Sequence, residues 1–316
     1  MCKEVPCIAV ILGTYNGEEF VEEQILSILK QKDVLVHIFA RDDGSNDRTV
    51  DILQKYERNY LNFHLMNEGK IINKGIKDNF ICTLKWALSF PDNFEYFAFS
   101  DQDDVWEERK LISGINKIKN STNENGALYY SNKTIVDKRL DILYQEKFYE
   151  KNSFSNFYFV SHAYGCTMVF NRKLAILGSK YISNAAHFHD DWIHRLAICL
   201  NSEIIFDENS YILYRQHGNN TCGTFATSSK SIIHLLKRTI EFMTVGGGYN
   251  RAKLSEDILR EYSDRIDDLN RNKLRTIIEY KNSFLNKIKL INSAELTNKK
   301  LKEIVVWKIK VLIGYF

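Results

Sequence analysis

A chain of 316 residues with 44% hydrophobic and 13% aromatic residues can fill one large core plus an appendage, or two domains, which excludes a disordered polypeptide. A net charge of +3 excludes a polycation built to hold nucleic acid, although the charge is uneven: 18 Lys/Arg against 10 Asp/Glu from Lys230 onward, and 25 against 30 before it. No run approaches the roughly 18 apolar residues of a membrane span, no signal peptide is legible, and six cysteines without a CxxC pair or zinc spacing read as reduced thiols, so a cytoplasmic protein is expected.

Residues 7–12 form an apolar run of strand length, as in a strand covered on both faces. Gly13-Thr14-Tyr15-Asn16-Gly17 breaks it, and Val21, Ile25, Ile28 and Leu29 on one stripe predict a helix. Thr14, Tyr15 and Asn16 then stand at the carboxyl end of a strand, where open α/β sheets bind ligands. Residues 34–40 predict a second strand ending in Arg41-Asp42-Asp43-Gly44-Ser45-Asn46-Asp47. Gly44 and Ser45 suit the turn, and Asn46 or Asp47 can cap the helix carrying Val50, Ile52 and Leu53. Asp42 and Asp43 are either turn chemistry or part of a site. Residues 63–66 predict a third strand, followed by a loop through 67–70 and 74–75 and a helix with Phe80, Ile81, Leu84, Ala87 and Leu88 apolar.

Tyr96-Phe97-Ala98-Phe99 predicts a fully apolar fourth strand, and Ser100-Asp101-Gln102-Asp103-Asp104-Val105-Trp106 follows at once. Asp101 and Asp103 lie two apart, so in an extended or turning backbone their carboxylates can converge on one cation of the kind that prefers oxygen ligands, Mg²⁺ or Mn²⁺. A solvated acidic turn capping the next helix is the structural alternative. Ile112, Ile115 and Ile118 predict that helix, and residues 127–131 another strand. Residues 137–162 lose periodicity and fit either a binding wall or a surface excursion; residues 164–170 are strand-like. His189-Asp190-Asp191-Trp192 opens a helix with Ile193, Leu196, Ala197 and Leu200 apolar, where an isolated Asp would be a cap. Residues 204–206 and 211–213 predict short strands. Tyr214-Arg215-Gln216-His217-Gly218-Asn219-Asn220 then gathers a cation, an imidazole and amides on one loop. Arg215 and His217 suit a diphosphate, and a neutral His can complete a metal shell; a plain surface loop is the alternative. Strands alternating with helices predict a mostly parallel sheet with helices on both faces.

Gly13-Thr14-Tyr15-Asn16, Asp42-Asp43-Gly44-Ser45-x-Asp47 and Asp101-x-Asp103 with Trp106 after it, in this order and spacing, resemble the inverting glycosyltransferases of family 2, with the nucleotide-diphospho-sugar transferase fold called GT-A, over about residues 5–222. Gly165-Cys166-Thr167-Met168-Val169-Phe170-Asn171, His189-Asp190 and Tyr214-Arg215-Gln216-His217 resemble the bacterial rhamnosyltransferase-like branch. That branch builds O-antigens, capsules and rhamnose-rich wall polysaccharides, and its members do not all transfer rhamnose. The resemblance implies that Thr14, Tyr15 and Asn16 line a nucleotide site with Tyr15 near the base, that Asp42 binds base or ribose, and that Asp43 shapes that turn. Asp101 and Asp103, flanking Gln102, match the DxD motif, which holds ribose and, through Mg²⁺ or Mn²⁺, the diphosphate. Asp190 matches the catalytic base; most relatives have Glu-Asp where this chain has His189-Asp190, and Asp191 leaves a one-residue ambiguity. Arg215 and His217 would clamp the diphosphate or the metal.

The implied reaction moves a sugar, L-rhamnose from dTDP-rhamnose in the first instance and a hexose from a UDP-sugar in the second, onto a hydroxyl of a growing, lipid-linked cell-surface polysaccharide with inversion. A nucleotidyltransferase would carry a basic residue in the first loop, and residues 13–17 hold none. A non-catalytic nucleotide-sugar-binding subunit is the reading from another class, and intact Asp101, Asp103 and Asp190 disfavour it. The resemblance divides the chain into a catalytic domain, 1–225, and a basic helical extension, 226–316. In the extension, residues 232–243 and 254–269 predict apolar-faced helices, and residues 305–316 are apolar, aromatic and basic. Peripheral contact with the anionic inner leaflet is one expectation; packing on the catalytic domain, or on a second copy in a homo-oligomer, is the other.

Overall fold

The computed structural model describes residues 5–66, 73–147, 153–159, 161–217, 250–294, 296 and 300–316. The loop at 67–70, the helix expected over 232–243 and the boundary at 225 lie outside the described residues. The strands are β1 (Cys7–Thr14), β2 (Leu35–Asp42), β3 (Phe63–Leu65), β4 (Tyr96–Ser100), β5 (Val105–Trp106), β6 (Ala127–Val136), β7 (Ile142–Gln145), β8 (Val169–Asn171) and β9 (Glu203–Arg215). They form one sheet in the order β3-β2-β1-β4-β8-β6-β9-β5, with β7 paired to β6. The helices are α1 (Val21–Leu29), α2 (Thr49–Asn59), α3 (Ile76–Ser89), α4 (Lys110–Ile118), α5 (Ser155–Tyr158), α6 (Arg172–Lys180), α7 (His189–Cys199), α8 (Arg251–Tyr262), α9 (Asp268–Glu279), α10 (Phe284–Ser293) and α11 (Leu301–Leu312).

The first half of the sheet is parallel as expected: β3, β2, β1 and β4 run the same way. The second half is mixed. β8 is antiparallel to both β4 and β6, and β5 and β7 are antiparallel edge pieces, while β6 and β9 are parallel. Alternate residues of the buried strands feed two cores. Ala9, Ile11, Phe39, Phe97 and Phe99 face one layer; Ile8, Val10, Leu12, Ile38 and Ala98 face the other. This two-sided burial is why residues 7–12 read as an unbroken apolar run.

Three expected strands differ in detail. Residues 164–170 split into a 3₁₀ turn, Gly165–Thr167, followed by β8. The short strands at 204–206 and 211–213 are one strand, β9, whose register with β6 shifts on either side of Asn132. Cys7, Cys82, Cys166 and Cys199 are free thiols. None of the described helices is long and apolar enough to cross a membrane.

Helices α8 to α11 share the core of the sheet's first face. Leu254, Ile258, Tyr262, Leu274, Ile277 and Trp307 join the same buried cluster as Trp192 and Leu196 of α7. Asn250, Asp267 and Ser283 cap α8, α9 and α10 through their side chains, which marks where each helix starts. Trp307 packs on Tyr158 and Phe159 at 5.3 and 6.2 Å between ring centroids, and the Tyr280 hydroxyl donates to the Phe316 carbonyl at 2.7 Å. Much of the apolar stretch at 305–316 is therefore turned inward. Among the described residues of this region the exposed large apolar side chains are Leu269 on α9, Phe284 and Leu285 at the start of α10, Leu301 at the start of α11, and Leu312 and Ile313 at its end.

Candidate active site

Three neighbouring parallel strands, β2, β1 and β4, end at one edge, and their carboxyl ends deliver Asp42, Thr14 and, just beyond Ser100, Asp101. A cavity of about 500 Å³ opens there, lined by Thr14, Tyr15, Asp43, Asp101, Gln102 and Asp103 on that edge and by Tyr164, Gly165, Cys166, His189, Asp190 and Asp191 opposite.

The first two loops are tied to each other. Thr14 Oγ1 donates to Asp42 Oδ1 at 2.9 Å, and Asp42 also accepts from the Gly44 and Ser45 amides and from Ser45 Oγ, at 3.0, 2.7 and 2.6 Å. Asn16 holds a left-handed backbone (φ 49°), which Asn tolerates better than most residues. Its amide donates to Ser45 Oγ and its side-chain oxygen accepts from the Asn46 amide, both at 2.8 Å. Asp43 is buried; it accepts from Arg41 Nη1 at 2.8 Å and from the amides of Lys74 and Gly75 at 2.7 and 2.8 Å, anchoring the entry to α3. Asp43 reaches the cavity wall, whereas Asp42 is absorbed in its turn. Tyr15 is half-exposed, and Gln102 grips its peptide group at both ends, accepting from its amide at 2.8 Å and donating to its carbonyl at 2.9 Å.

The acidic stretch forms a cluster with a member that the spacing did not single out. One ligand atom each from Asp101, Asp104 and Cys166 lie within 4.8 Å of one another. Asp104 is fully buried; its Oδ1 accepts from the Arg215 amide at 3.3 Å, and its Oδ2 has no hydrogen-bond partner among the described residues. Burial, then the charges of Asp103 and Asp190, push Asp101 up to about 7, and burial pushes Asp104 well above the carboxylate range. Carboxylates crowded until they resist ionisation, with one oxygen orphaned, are a donor set that suits a hard divalent cation. Asp103 turns its Oδ2 to His217 Nε2 at 2.8 Å.

The resemblance puts Arg215 on the diphosphate or the metal. Its guanidinium is buried, donates to the Asp103 carbonyl at 2.9 Å and to the Lys138 carbonyl, pairs with Glu23 and lies over the Phe20 ring at 4.6 Å. It braces the acidic loop and is not among the residues that line the cavity, although its neighbour Tyr214 is.

Asp190 and Asp191 separate cleanly. Asp190, in the first turn of α7, accepts from the Gly165 amide at 2.8 Å and from the Asp191 amide at 2.6 Å, and burial pushes it up to about 6. Asp191 is bound by Arg195 at 2.7 Å and faces Arg251 of α8 at 3.7 Å. Burial alone would raise its pKa, but the two guanidiniums outweigh it and hold the group below the usual range. His189 stacks on Phe80 with centroids 3.8 Å apart, and burial pushes it down to about 3, so the ring is neutral. Gly165 has to be glycine: a Cβ there would meet His189 Nε2 at 2.7 Å. Asp104, Cys166, Arg195 and Arg251 were missed as parts of this neighbourhood, and only Arg195, four residues after Asp191 on a helix, left a signal in the spacing.

A sheet whose parallel half ends in carboxylates, with further acids from α7 on the same cavity, defines a glycosyltransferase of the GT-A class. The chain belongs to glycosyl transferase family 2, whose model matches residues 9–177. It is 33% identical over 226 residues to the dTDP-rhamnosyl transferase RfbG of Shigella flexneri, spanning 67% of this chain and 73% of that protein. It is 27% identical over 233 residues to an uncharacterized glycosyltransferase of Rickettsia typhi, spanning 69% of this chain and 67% of that one. Among solved structures it is similar in fold to S. aureus TarS residues 1–349, with a TM-score of 0.52 and 16% identity over 96% of this chain and 80% of that one.

The two neighbouring aspartates should differ in what they hold up. Asp191→Ala removes the carboxylate that faces two buried guanidiniums and is expected to cost about 3–5 kcal/mol in chemical denaturation. Asp190→Asn keeps the shape and relieves a crowded charge but sets its NH2 against one of the two backbone amides, so it should cost about 1–2 kcal/mol, less than Asp191→Ala. Equal losses in both variants would contradict this division.

Proposed function

We propose that this glycosyltransferase moves a sugar from a nucleotide-diphospho-sugar to an acceptor hydroxyl with inversion, with Asp190 as the base. The observation that carries the reading is Asp190 itself: a carboxylate aimed by two backbone amides, raised to about 6 and facing the acidic cluster across one cavity. A base of that basicity is ionised at neutral pH and can still take a proton. The acceptor oxygen bonds to the anomeric carbon as the bond to the diphosphate oxygen breaks, and the hydroxyl proton passes to Asp190. Thr14, Tyr15, Asn16, Asp42 and Asp43 would shape the nucleotide side, with Gln102 holding the Tyr15 peptide in place. Asp101 and Asp103, joined by Asp104 and with His217 behind Asp103, would hold Mg²⁺ or Mn²⁺. When bound, that cation supplies charge neutralisation to the leaving diphosphate. Asp191 has a positioning role, since Arg195 and Arg251 occupy it.

The donor we favour is dTDP-rhamnose, supported by the 33% identity to a dTDP-rhamnosyl transferase. The acceptor would be a growing, lipid-linked cell-surface polysaccharide. Binding and hydrolysis across dTDP-rhamnose, UDP-glucose, UDP-galactose, UDP-GlcNAc and GDP-mannose, each with Mn²⁺, Mg²⁺ or EDTA, tests this directly. Use of dTDP-rhamnose alone, lost in EDTA, is expected; preference for a UDP-sugar would keep the chemistry and remove the rhamnose assignment.

Asp190→Asn should lower kcat about 10²–10⁴-fold with donor affinity nearly unchanged. Because Asp190 must be ionised to accept a proton, the parent's kcat should rise with pH and level off above about 6. A flat profile from pH 5 to 8, or full turnover in the variant, would remove Asp190 from the role.

A lipid-linked acceptor calls for contact with a membrane surface. Phe284, Leu285, Leu312 and Ile313 are exposed where α10 begins and α11 ends, Lys287 Nζ ties the two ends together through the Leu312 carbonyl at 2.7 Å, and Lys281, Lys289 and Lys308 are exposed beside them. Apolar tips ringed by lysine favour anionic bilayers. Phe284→Glu combined with Ile313→Glu is expected to abolish sedimentation with phosphatidylglycerol vesicles while sparing donor hydrolysis; undiminished sedimentation would reject this surface.

A further inference from the structure

Lys133 lies on β6 between the two residues, Asn132 and Thr134, across which the register with β9 shifts. Irregularities of this kind re-aim side chains beside functional sites. The lysine side chain is 1% exposed, and its ammonium sits over two rings, 3.3 Å from the centroid of Tyr164 and 3.9 Å from that of Tyr214. Both tyrosines line the cavity together with Asp101, Asp103 and Cys166. The carboxylate of Glu146, one residue past β7, lies 3.9 Å from the ammonium and is itself largely buried. A positive charge is thus fixed just behind the wall that carries the acidic cluster, and its field works against the upward push on both Asp101 and Asp104.

An apolar side chain could fill the same aromatic slot without the cost of desolvating an ammonium. The charge therefore calls for a use that packing does not supply. Against a cluster of carboxylates it lowers the net negative charge that a divalent cation would meet. A nucleoside diphosphate arriving in the cavity brings negative charge of its own and restores that attraction.

We propose that Lys133 makes binding of the divalent cation conditional on the nucleotide diphosphate, by offsetting the charge of the Asp101–Asp104 cluster until the diphosphate is in place. The coupling is reciprocal, as any binding linkage must be, so the cation also tightens the nucleotide. Glu146 sets the strength of the effect by partly compensating Lys133. This inference rests on the reading of the acidic cluster as the metal and diphosphate site.

Titration calorimetry of Mn²⁺ into the full chain, at one pH held fixed for every variant, with and without dTDP or UDP, tests it. In the parent, nucleotide should tighten Mn²⁺ about tenfold or more. Lys133→Met should tighten Mn²⁺ alone by a similar factor and shrink the nucleotide enhancement to about threefold or less. Lys133→Arg, which keeps the charge, should retain the parent's coupling. Glu146→Gln should move the other way, weakening Mn²⁺ alone while enlarging the nucleotide enhancement, a pair of shifts that a structural lesion would not give, so it carries the test if Lys133→Met does not fold. A merely structural lesion would weaken Mn²⁺ in both variants, so opposite signs are the signature. Unchanged coupling in Lys133→Met, or shifts of the same sign in Lys133→Met and Glu146→Gln, would overturn the inference. A parent chain that binds neither Mn²⁺ nor nucleotide would instead overturn the reading of the site on which it stands.

Discussion

Carboxylates gathered out of water at the edge of a sheet repel one another, and the structure around this cavity is organised by the need to contain that repulsion. Asp101 and Asp104 sit with Cys166 within 4.8 Å, and Asp190 faces them across the same cavity. Each neighbour answers part of the cost. Backbone amides of Gly165 and Asp191 take both oxygens of Asp190. The Arg215 amide takes one oxygen of Asp104 while its guanidinium braces the loop that carries Asp103. Lys133 adds a full charge behind the wall. The supply stops short, with one oxygen of Asp104 unpartnered. An incomplete shell of this kind is stable enough to fold and still favours an arriving cation.

What could be read from the chain follows from how local each feature is. The strands of the first half and the residues at their ends were legible because two-sided burial writes itself as an apolar run, and the break in the run marks the ligand edge. Asp101 and Asp103 drew notice because acids directly after an apolar strand stand out, whereas Asp190, an ordinary cap by its position, was singled out by the family resemblance. The trio with Asp104 and Cys166 was not, since it exists only once the 3₁₀ turn at Gly165–Thr167 is laid against the loop after β4. That turn also hid itself: an apolar run with one glycine reads as a strand, and the reason for the glycine, the His189 ring against it, lies more than twenty residues away. The contacts of Arg215 could not be read for the opposite reason. Its position in the motif is local, but the direction of its side chain is decided by Glu23 and Phe20, far off in the sequence. Lys133 fell just past the expected end of its strand, and only the pairing of β6 with β9 gives it two aromatic neighbours.

The extension packs on the rest of the chain, which was one of the two expectations for it. Its composition marks it off from the catalytic half, yet its side chains do not respect that line. Trp307 lies under Tyr158 and Phe159, a short step along the chain from Ser161 and Ala163 on the cavity wall. Arg251, at the start of α8, reaches Asp191, whose neighbour along the chain is Asp190. Burying two guanidiniums around one carboxylate costs desolvation that hydrophobic packing would avoid, so this contact is poor economy as a source of stability alone. It does fix the first turn of α7 from the side opposite the Gly165 amide, leaving Asp190 little freedom to swing. A carboxylate that has to meet a hydroxyl in one orientation gains from being held on both flanks. In this chain the second flank comes from a helix that a division at residue 225 would assign to another domain.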